Sequence, residues 1–249
     1  MNKDFEKRYL AQGSFHWWTH SRRDAVLKMT HAYPKRTRIL DIGCGGGDLL
    51  RDLRHAGFPH VTGIDISEES ISYCKSQNIS EVYRMDAAKL SFADASFDLI
   101  IASDILEHMQ DDEAVLREWR RVLSDKGVLI LFVPAFMFLW SKHDEVNHHY
   151  RRYTKKVLLG KFGVSGFSIE QIGYWNFLLF VPIALLRLFQ RALGFLFGKK
   201  DTGDRVSRLG TGFLNGLLSR LVRCENVLIG RGWALPIGSS IYVVAQKRH

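Results

Sequence analysis

Asp41-Ile42-Gly43-Cys44-Gly45-Gly46-Gly47 stands where an apolar run, Arg38 to Ile42, stops at a tight turn and Asp48 to Gly57 begins as a helix. The run reads as a buried strand. Glycine at its end permits positive φ and lets backbone N–H groups approach a ligand with no Cβ in the way. Alone, such a turn is weak evidence, because dinucleotide sites use similar ones.

The surroundings narrow it. A second strand, His60 to Ile64, stops at Asp65, 24 residues after Asp41, where a carboxylate can accept both hydroxyls of a ribose. Ser67, with Glu68 and Glu69 behind it, caps a helix running to about Ser76. A third strand, Glu81 to Arg84, leads to Asp86-Ala87-Ala88, a further acid within reach of an adenine amine. The later glycine of the dinucleotide fingerprint would fall on Leu50. A pyrophosphate therefore fits less well than a nucleoside bearing a short charged tail.

Downstream come Phe97 to Ala102 as an apolar strand, Asp111 to Leu123 as an amphipathic helix, and Gly127 to Val133 as a buried strand. A helix to about Lys161 and strands at Phe167 to Trp175 and Ser240 to Ala245 follow. Apolar strands alternating with helices predict a doubly wound α/β fold with a mostly parallel sheet. Expected boundaries are an N-terminal helical lid over 1–35, a nucleotide-binding core over 36–175, a helical hydrophobic insertion over 176–238 and a last core strand over 239–249.

Composition is that of an ordinary folded globular protein, neither disordered nor collagen-like: 249 residues, 46% hydrophobic, 24% charged, 21 Gly and 5 Pro. The net charge of +9 is uneven, −2 over residues 1–141 and +11 over 142–249. That asymmetry suggests that the C-terminal part meets something anionic. Cys44, Cys74 and Cys224 form neither a disulfide framework nor a C-x-x-C pair. Met1 to Leu10 lacks the apolar core of a secretory signal, so the cytosol is the expected compartment.

On Asp41 to Gly47, Gly63-Ile64-Asp65-Ile66-Ser67, Asp86-Ala87 and the Phe97-Asp98-Leu99-Ile100 strand running into Ser103-Asp104-Ile105-Leu106-Glu107-His108, the chain resembles the class I S-adenosylmethionine-dependent methyltransferases. The resemblance implies a seven-stranded Rossmann-like sheet whose last strand inserts antiparallel, with S-adenosylmethionine as cofactor. It implies cofactor contacts at Asp41, Gly43, Gly45, Gly47, Asp65, Ile66, Asp86, Ala87 and Ser103. The methionine part would lie on the glycine loop, the ribose on Asp65, the adenine on Asp86 and Ala87, and the methyl-bearing end above Ser103. A weaker likeness, in the His-Trp-Trp and His-rich segments, is to a bacterial subgroup of unsettled substrate.

Methyl transfer from a sulfonium is an in-line displacement that depends on positioning and exclusion of water and requires no metal. An oxygen or acidic carbon acceptor also needs a base near neutral pH, for which histidine is best matched. Two segments offer candidates. Phe15 to Arg23 carries Trp17 and Trp18, able either to close over the cofactor and contact substrate or to pack the first helix. Trp140 to Thr154 follows the fifth strand's carboxyl end, where an open α/β sheet exposes its crevice. There His143 with Asp144 forms a candidate base, His148 and His149 are alternatives, Arg151 and Arg152 form a candidate anion clamp, and Tyr153 is a further substrate contact. No spacing enforces a metal site.

Trp175 to Gly198 is long enough to span a bilayer, at about 36 Å as a helix. Arg187 near its centre costs about 2.5 to 3.5 kcal/mol there, which cancels the apolar gain. The helix could lie in a membrane interface, roof an apolar pocket, or form a core or dimer face. These features give a methyltransferase acting on a small or lipid-like acceptor, with oxygen expected. An RNA methyltransferase and a non-catalytic cofactor-binding or scaffold protein are the alternatives, the former raised by the basic C-terminal part.

Overall fold

The computed structural model describes residues 17–197 and 213–248. Met1 to Leu10, Phe15 and His16, and an expected helix break at Lys199 to Asp204 lie outside the described residues. Helix α1 (Trp17–Thr30) precedes β1 (Ile39–Ile42), α2 (Asp48–His55), β2 (Val61–Asp65), α3 (Glu68–Ser76), β3 (Val82–Arg84) and β4 (Phe97–Ser103). Then come α4 (Asp112–Val122), β5 (Leu123–Pro134), α5 (Lys142–Val146), α6 (Lys155–Val164), β6 (Phe167–Trp175), α7 (Phe180–Phe197), α8 (Phe213–Gly230) and β7 (Ser240–Lys247).

The seven strands form one sheet in the order β3-β2-β1-β4-β5-β7-β6. The first five run parallel, and β7 inserts antiparallel between β5 and β6, as expected for a Rossmann-like methyltransferase sheet. Successive strand residues enter opposite layers of the core, as the two-residue side-chain period requires. Leu99 and Ile101 join the layer formed with α1, α2, α3 and α8, while Ile100 and Ala102 join the layer with α4 and α6. In α4 the apolar side is Val115, Leu116, Trp119 and Val122, and the Asp111 carboxylate caps its start through the Ala114 N–H at 2.9 Å. Trp119, fully buried, places its one polar atom 2.9 Å from the Ala87 carbonyl.

Strand β5 starts four residues earlier than its apolar run suggests, at Leu123. Its pairing with β4 shifts register between Phe97 and Leu99. The described part of the insertion holds the helices α7 and α8, with irregular chain at 176–179 and 231–238 that bridges back to Tyr174 through Leu235. Arg187 points into the protein at 7% exposure, while Val181, Leu185, Leu188 and Phe189 are exposed on the other side of α7. Among the described residues, no helix is long and apolar enough to cross a membrane.

Strands β4, β5 and β6 are each left through a non-glycine residue with positive φ close behind them, Asp104, Phe136 and Asn176. These turns redirect the chain at the carboxyl edge of the sheet, where the glycine loop and the loop after β5 also begin.

Candidate functional site

The glycine loop is held by the strand beside it. Gly43 and Cys44 N–H groups donate to the Ile64 carbonyl at 2.8 and 2.9 Å, and Gly45 N–H donates to Asp65 Oδ2 at 2.9 Å. Asp65 Oδ1 accepts from Ser67 N–H at 2.9 Å, so one carboxylate ties the loop to the start of α3. Gly43, Gly45 and Gly47 have φ of 77°, 50° and 76°. At Gly43 a Cβ would collide with Ile105.

Asp41 is 4% exposed at the end of β1. Burial, with the Asp65 charge in second place, pushes its carboxyl up to about 7. Across the rim, Ile66 is exposed, Asp86 Oδ1 accepts from Ala88 N–H at 2.8 Å, and Ala87 is buried beside it. At the end of β4, Ser103 Oγ is buried with no hydrogen-bond partner among the described residues. A glycine cradle, an exposed apolar side chain, acids on three neighbouring strand ends and an unsatisfied hydroxyl suit a nucleoside with a charged tail.

The loop after β5 is organised by Asp144, whose side chain has no exposure to solvent. Asp144 closes a capping box, accepting from Ser141 N–H at 2.8 Å. Its Oδ1 accepts from His149 Nδ1 at 2.9 Å. Arg152 grips both carboxylate oxygens, Nε to Oδ1 at 2.8 Å and Nη2 to Oδ2 at 2.9 Å. Burial alone would raise the Asp144 carboxyl, but the His149 and Arg152 hydrogen bonds hold it well below the carboxylate range. The carboxylate expected beside His143 thus serves His149. His143 Nε2 lies 3.1 Å from the Asn147 side-chain amide. The reason is the turn: His148 adopts φ 57°, which swings His149 back over α5 and leaves His148 itself exposed.

The expected anion clamp is committed elsewhere. Arg152 is spent on Asp144, and Arg151 Nη1 reaches Asp112 Oδ2 at 3.0 Å. Tyr153 is fully buried, its hydroxyl donating to the same Asp112 at 3.0 Å, so it supports the rim instead of lining it. Trp17 is 2% exposed and Trp18 meets Trp175 edge-on at 4.8 Å between ring centres, so the pair packs α1 onto the sheet.

Two groups escaped the sequence reading of roles. Arg22 inserts its guanidinium over Trp175 at 4.2 Å and Phe132 at 4.4 Å and donates to Ser240 Oγ at 3.0 Å. Its Nη1 lies 3.3 Å from an Asp104 oxygen, which ties α1 to the end of β4. Glu107 and His108 sit one turn beyond β4. Glu107 is fully buried with no hydrogen-bond partner for either carboxyl oxygen among the described residues. Burial, then the Asp104 charge, raises its carboxyl well above the usual range. The His108 ring meets the His149 ring edge-on at 4.6 Å, and burial, then His149, lowers it to about 4. An adjacent acid and histidine just past a strand's carboxyl end was the available signal.

Residues 40–131 match the model of the methyltransferase domain family. Over 140 residues the chain is 32% identical to a ubiquinone biosynthesis O-methyltransferase of Xanthomonas oryzae pv. oryzae, spanning 49% of this chain and 58% of that protein. It is 31% identical over 134 residues to the eEF1A lysine and N-terminal methyltransferase of Bos taurus, across 49% of this chain but 19% of that protein. The fold of a chain in the complex between the Haloferax volcanii Trm112 methyltransferase activator and a methyltransferase superposes with a TM-score of 0.65 at 18% identity, covering 99% of this chain and 96% of that one. The matched residues contain the glycine loop and the strand ends that form the rim, so residues 40–131 carry an S-adenosylmethionine-dependent methyltransferase domain, in a chain whose fold is that of the class I enzymes.

Proposed function

We propose that the chain transfers the methyl group of S-adenosylmethionine to an oxygen of a small or lipid-like acceptor held between Ser103 and the Asp144–His149 pair. The cofactor supplies an electrophilic methyl on a sulfonium. On this reading Asp41, Gly43, Gly45 and Gly47 receive its methionine part. Asp65 and Ile66 receive the ribose, Asp86 and Ala87 the adenine, and Ser103 the methyl-bearing end. His149 takes the acceptor's proton. With Nδ1 donating to Asp144, its Nε2 keeps the lone pair that a general base needs.

That 2.9 Å contact to a fully buried carboxylate carries the proposal. It fixes one tautomer and one ring orientation on the rim where the acceptor would lie. The O-methyltransferase among the relatives supports an oxygen acceptor, and the exposed apolar side of α7 supports a lipid-like one met at a membrane surface. Incubating the chain with methyl-labelled cofactor and a fractionated cell extract tests both points. Alkali-stable label in the lipid or small-molecule fraction, bound as an ether, is the expected result. Label in RNA or on protein amines overturns the acceptor assignment, and no transfer to any fraction overturns the activity.

A further inference from the structure

The Glu107, His108 and His149 side chains meet beside the rim although they come from two separate loops. One donor atom from each lies within 4.8 Å of the other two. The contact between the loops is reinforced by Tyr150 N–H, which donates to the Glu107 carbonyl at 2.8 Å. Each histidine already gives one ring N–H away. His149 Nδ1 is bound to Asp144 Oδ1 at 2.9 Å, and the His108 ring donates to the Asn147 backbone carbonyl. An imidazole oriented in this way turns its remaining nitrogen lone pair elsewhere, the arrangement by which outer carboxylates and carbonyls orient metal-bound histidines. Glu107 adds a carboxyl group that is fully buried, and both its oxygens lack partners among the described residues. A buried acid left unsatisfied is costly, and a cation is one of few partners that would satisfy it.

We infer that Glu107, His108 and His149 form a binding site for one divalent cation of zinc-like chemistry. Two imidazoles and one carboxylate are a borderline-soft donor set, which suits such ions better than magnesium or calcium. Three protein ligands leave a coordination position open, the pattern of metal sites that act on a substrate and not of purely structural ones. His149 is also the residue assigned above to the acceptor's proton, so the inference rests on that reading for its role. The ion would bind the acceptor's hydroxyl oxygen and lower its pKa. The proton then leaves to solvent, the oxygen–methyl bond forms as the sulfur–methyl bond breaks, and the electron pair of the broken bond stays on sulfur. Coordination uses the His149 Nε2 lone pair, so base catalysis by His149 belongs to the metal-free chain and metal-assisted ionisation to the loaded one.

Cobalt(II) titrated into the chelator-treated full chain tests the site without any turnover, because a tetrahedral or five-coordinate nitrogen–oxygen site gives visible ligand-field absorption. One equivalent bound, with bands that zinc bleaches, is the expected result. His108→Ala and the isosteric Glu107→Gln should each weaken uptake by at least about tenfold, and Asp144→Asn by roughly 10- to 100-fold through loss of ring orientation. His60→Ala, on an exposed residue before β2, should leave uptake unchanged. Absence of a saturable equivalent, or cobalt bands that persist unaltered in folded Glu107→Gln and His108→Ala, overturns the inference. Cofactor affinity and methyl transfer measured in the presence of chelator separate the two readings. Transfer at full rate without metal uptake removes the ion and keeps the methyltransferase, whereas cobalt binding with no transfer under any condition does the reverse.

Discussion

Asp144 Oδ1 accepts a hydrogen bond from His149 Nδ1 at 2.9 Å, and the same oxygen receives Arg152 Nε at 2.8 Å. The carboxylate therefore stands between the residue proposed for chemistry and a buried cation. Replacing it has two separable consequences. Asp144→Ala leaves the Arg152 charge without its partner, and folding stability should drop by about 3 to 5 kcal/mol in denaturant titration. Asp144→Asn keeps the shape. It should fold, with turnover reduced more than cofactor affinity, and an unchanged rate would separate Asp144 from the chemistry.

His149→Ala should cut methyl transfer by roughly 10²-fold or more and leave the calorimetric affinity for S-adenosylmethionine as it was. Loss of both together would mean that the ring supports the cofactor loop instead of the acceptor. Unaltered turnover would move the proton-handling role to another group.

Asp65→Ala removes the acceptor of two backbone N–H groups as well as the proposed ribose contact. Cofactor binding should weaken by about 1 to 3 kcal/mol for the charged hydrogen bonds lost, read by calorimetry. Wild-type affinity would take Asp65 out of the site.

The carboxyl of Asp41, pushed up to about 7 by burial and then by Asp65, carries a proton in much of the chain below neutrality. A cationic ligand beside it favours the ionised form, so binding should release a proton. Affinity for S-adenosylmethionine should then rise between about pH 6 and pH 8, by up to about tenfold per unit below the carboxyl's pKa, and level off above it. Asp41→Asn should flatten that dependence. For folding alone the sign is opposite: the raised pKa means stability falls as pH climbs from the unfolded value of 3.8 towards 7. Affinity indifferent to pH across this window would show that the carboxyl does not meet the ligand's charge.

Gly43→Ala puts a Cβ into Ile105 at a backbone φ of 77°. Left-handed strain alone costs about 1 to 2 kcal/mol, and the collision adds to it. A fall in melting temperature of several degrees is expected, with cofactor affinity reduced alongside. A variant as stable as the parent would mean that the β1–α2 turn relaxes freely.

Much of this architecture was legible in the sequence because its signals are local. Phe167 to Trp175 is a strand with the same ends in both readings, and Ser67 caps α3 through the Ser70 N–H at 3.1 Å, as its neighbours' charges suggested. The partner of Asp144 was not legible. Choosing His149 over His143 depends on the left-handed His148, a conformation that no propensity assigns to histidine. Arg151 and Tyr153 both meet Asp112, respectively 39 and 41 residues away in the chain, and such pairings exist only once α4 and the loop after β5 share a wall. Glu107 and His108 read in the sequence only as the residues following a strand end, since their importance lies in the distance to a residue from another loop.

Strand β7 lies between β5 and β6, pairing with both. Every ribosome making this protein must therefore release two apolar strands well before the one that joins them. Until residues 240–247 clear the exit tunnel, the inner edges of β5 and β6 offer unpaired backbone groups to any neighbouring nascent chain. Chaperone dependence and inclusion-body formation during rapid synthesis should consequently track the delay between β6 and β7, and slowing translation initiation should help soluble yield more than any improvement to the nucleotide half.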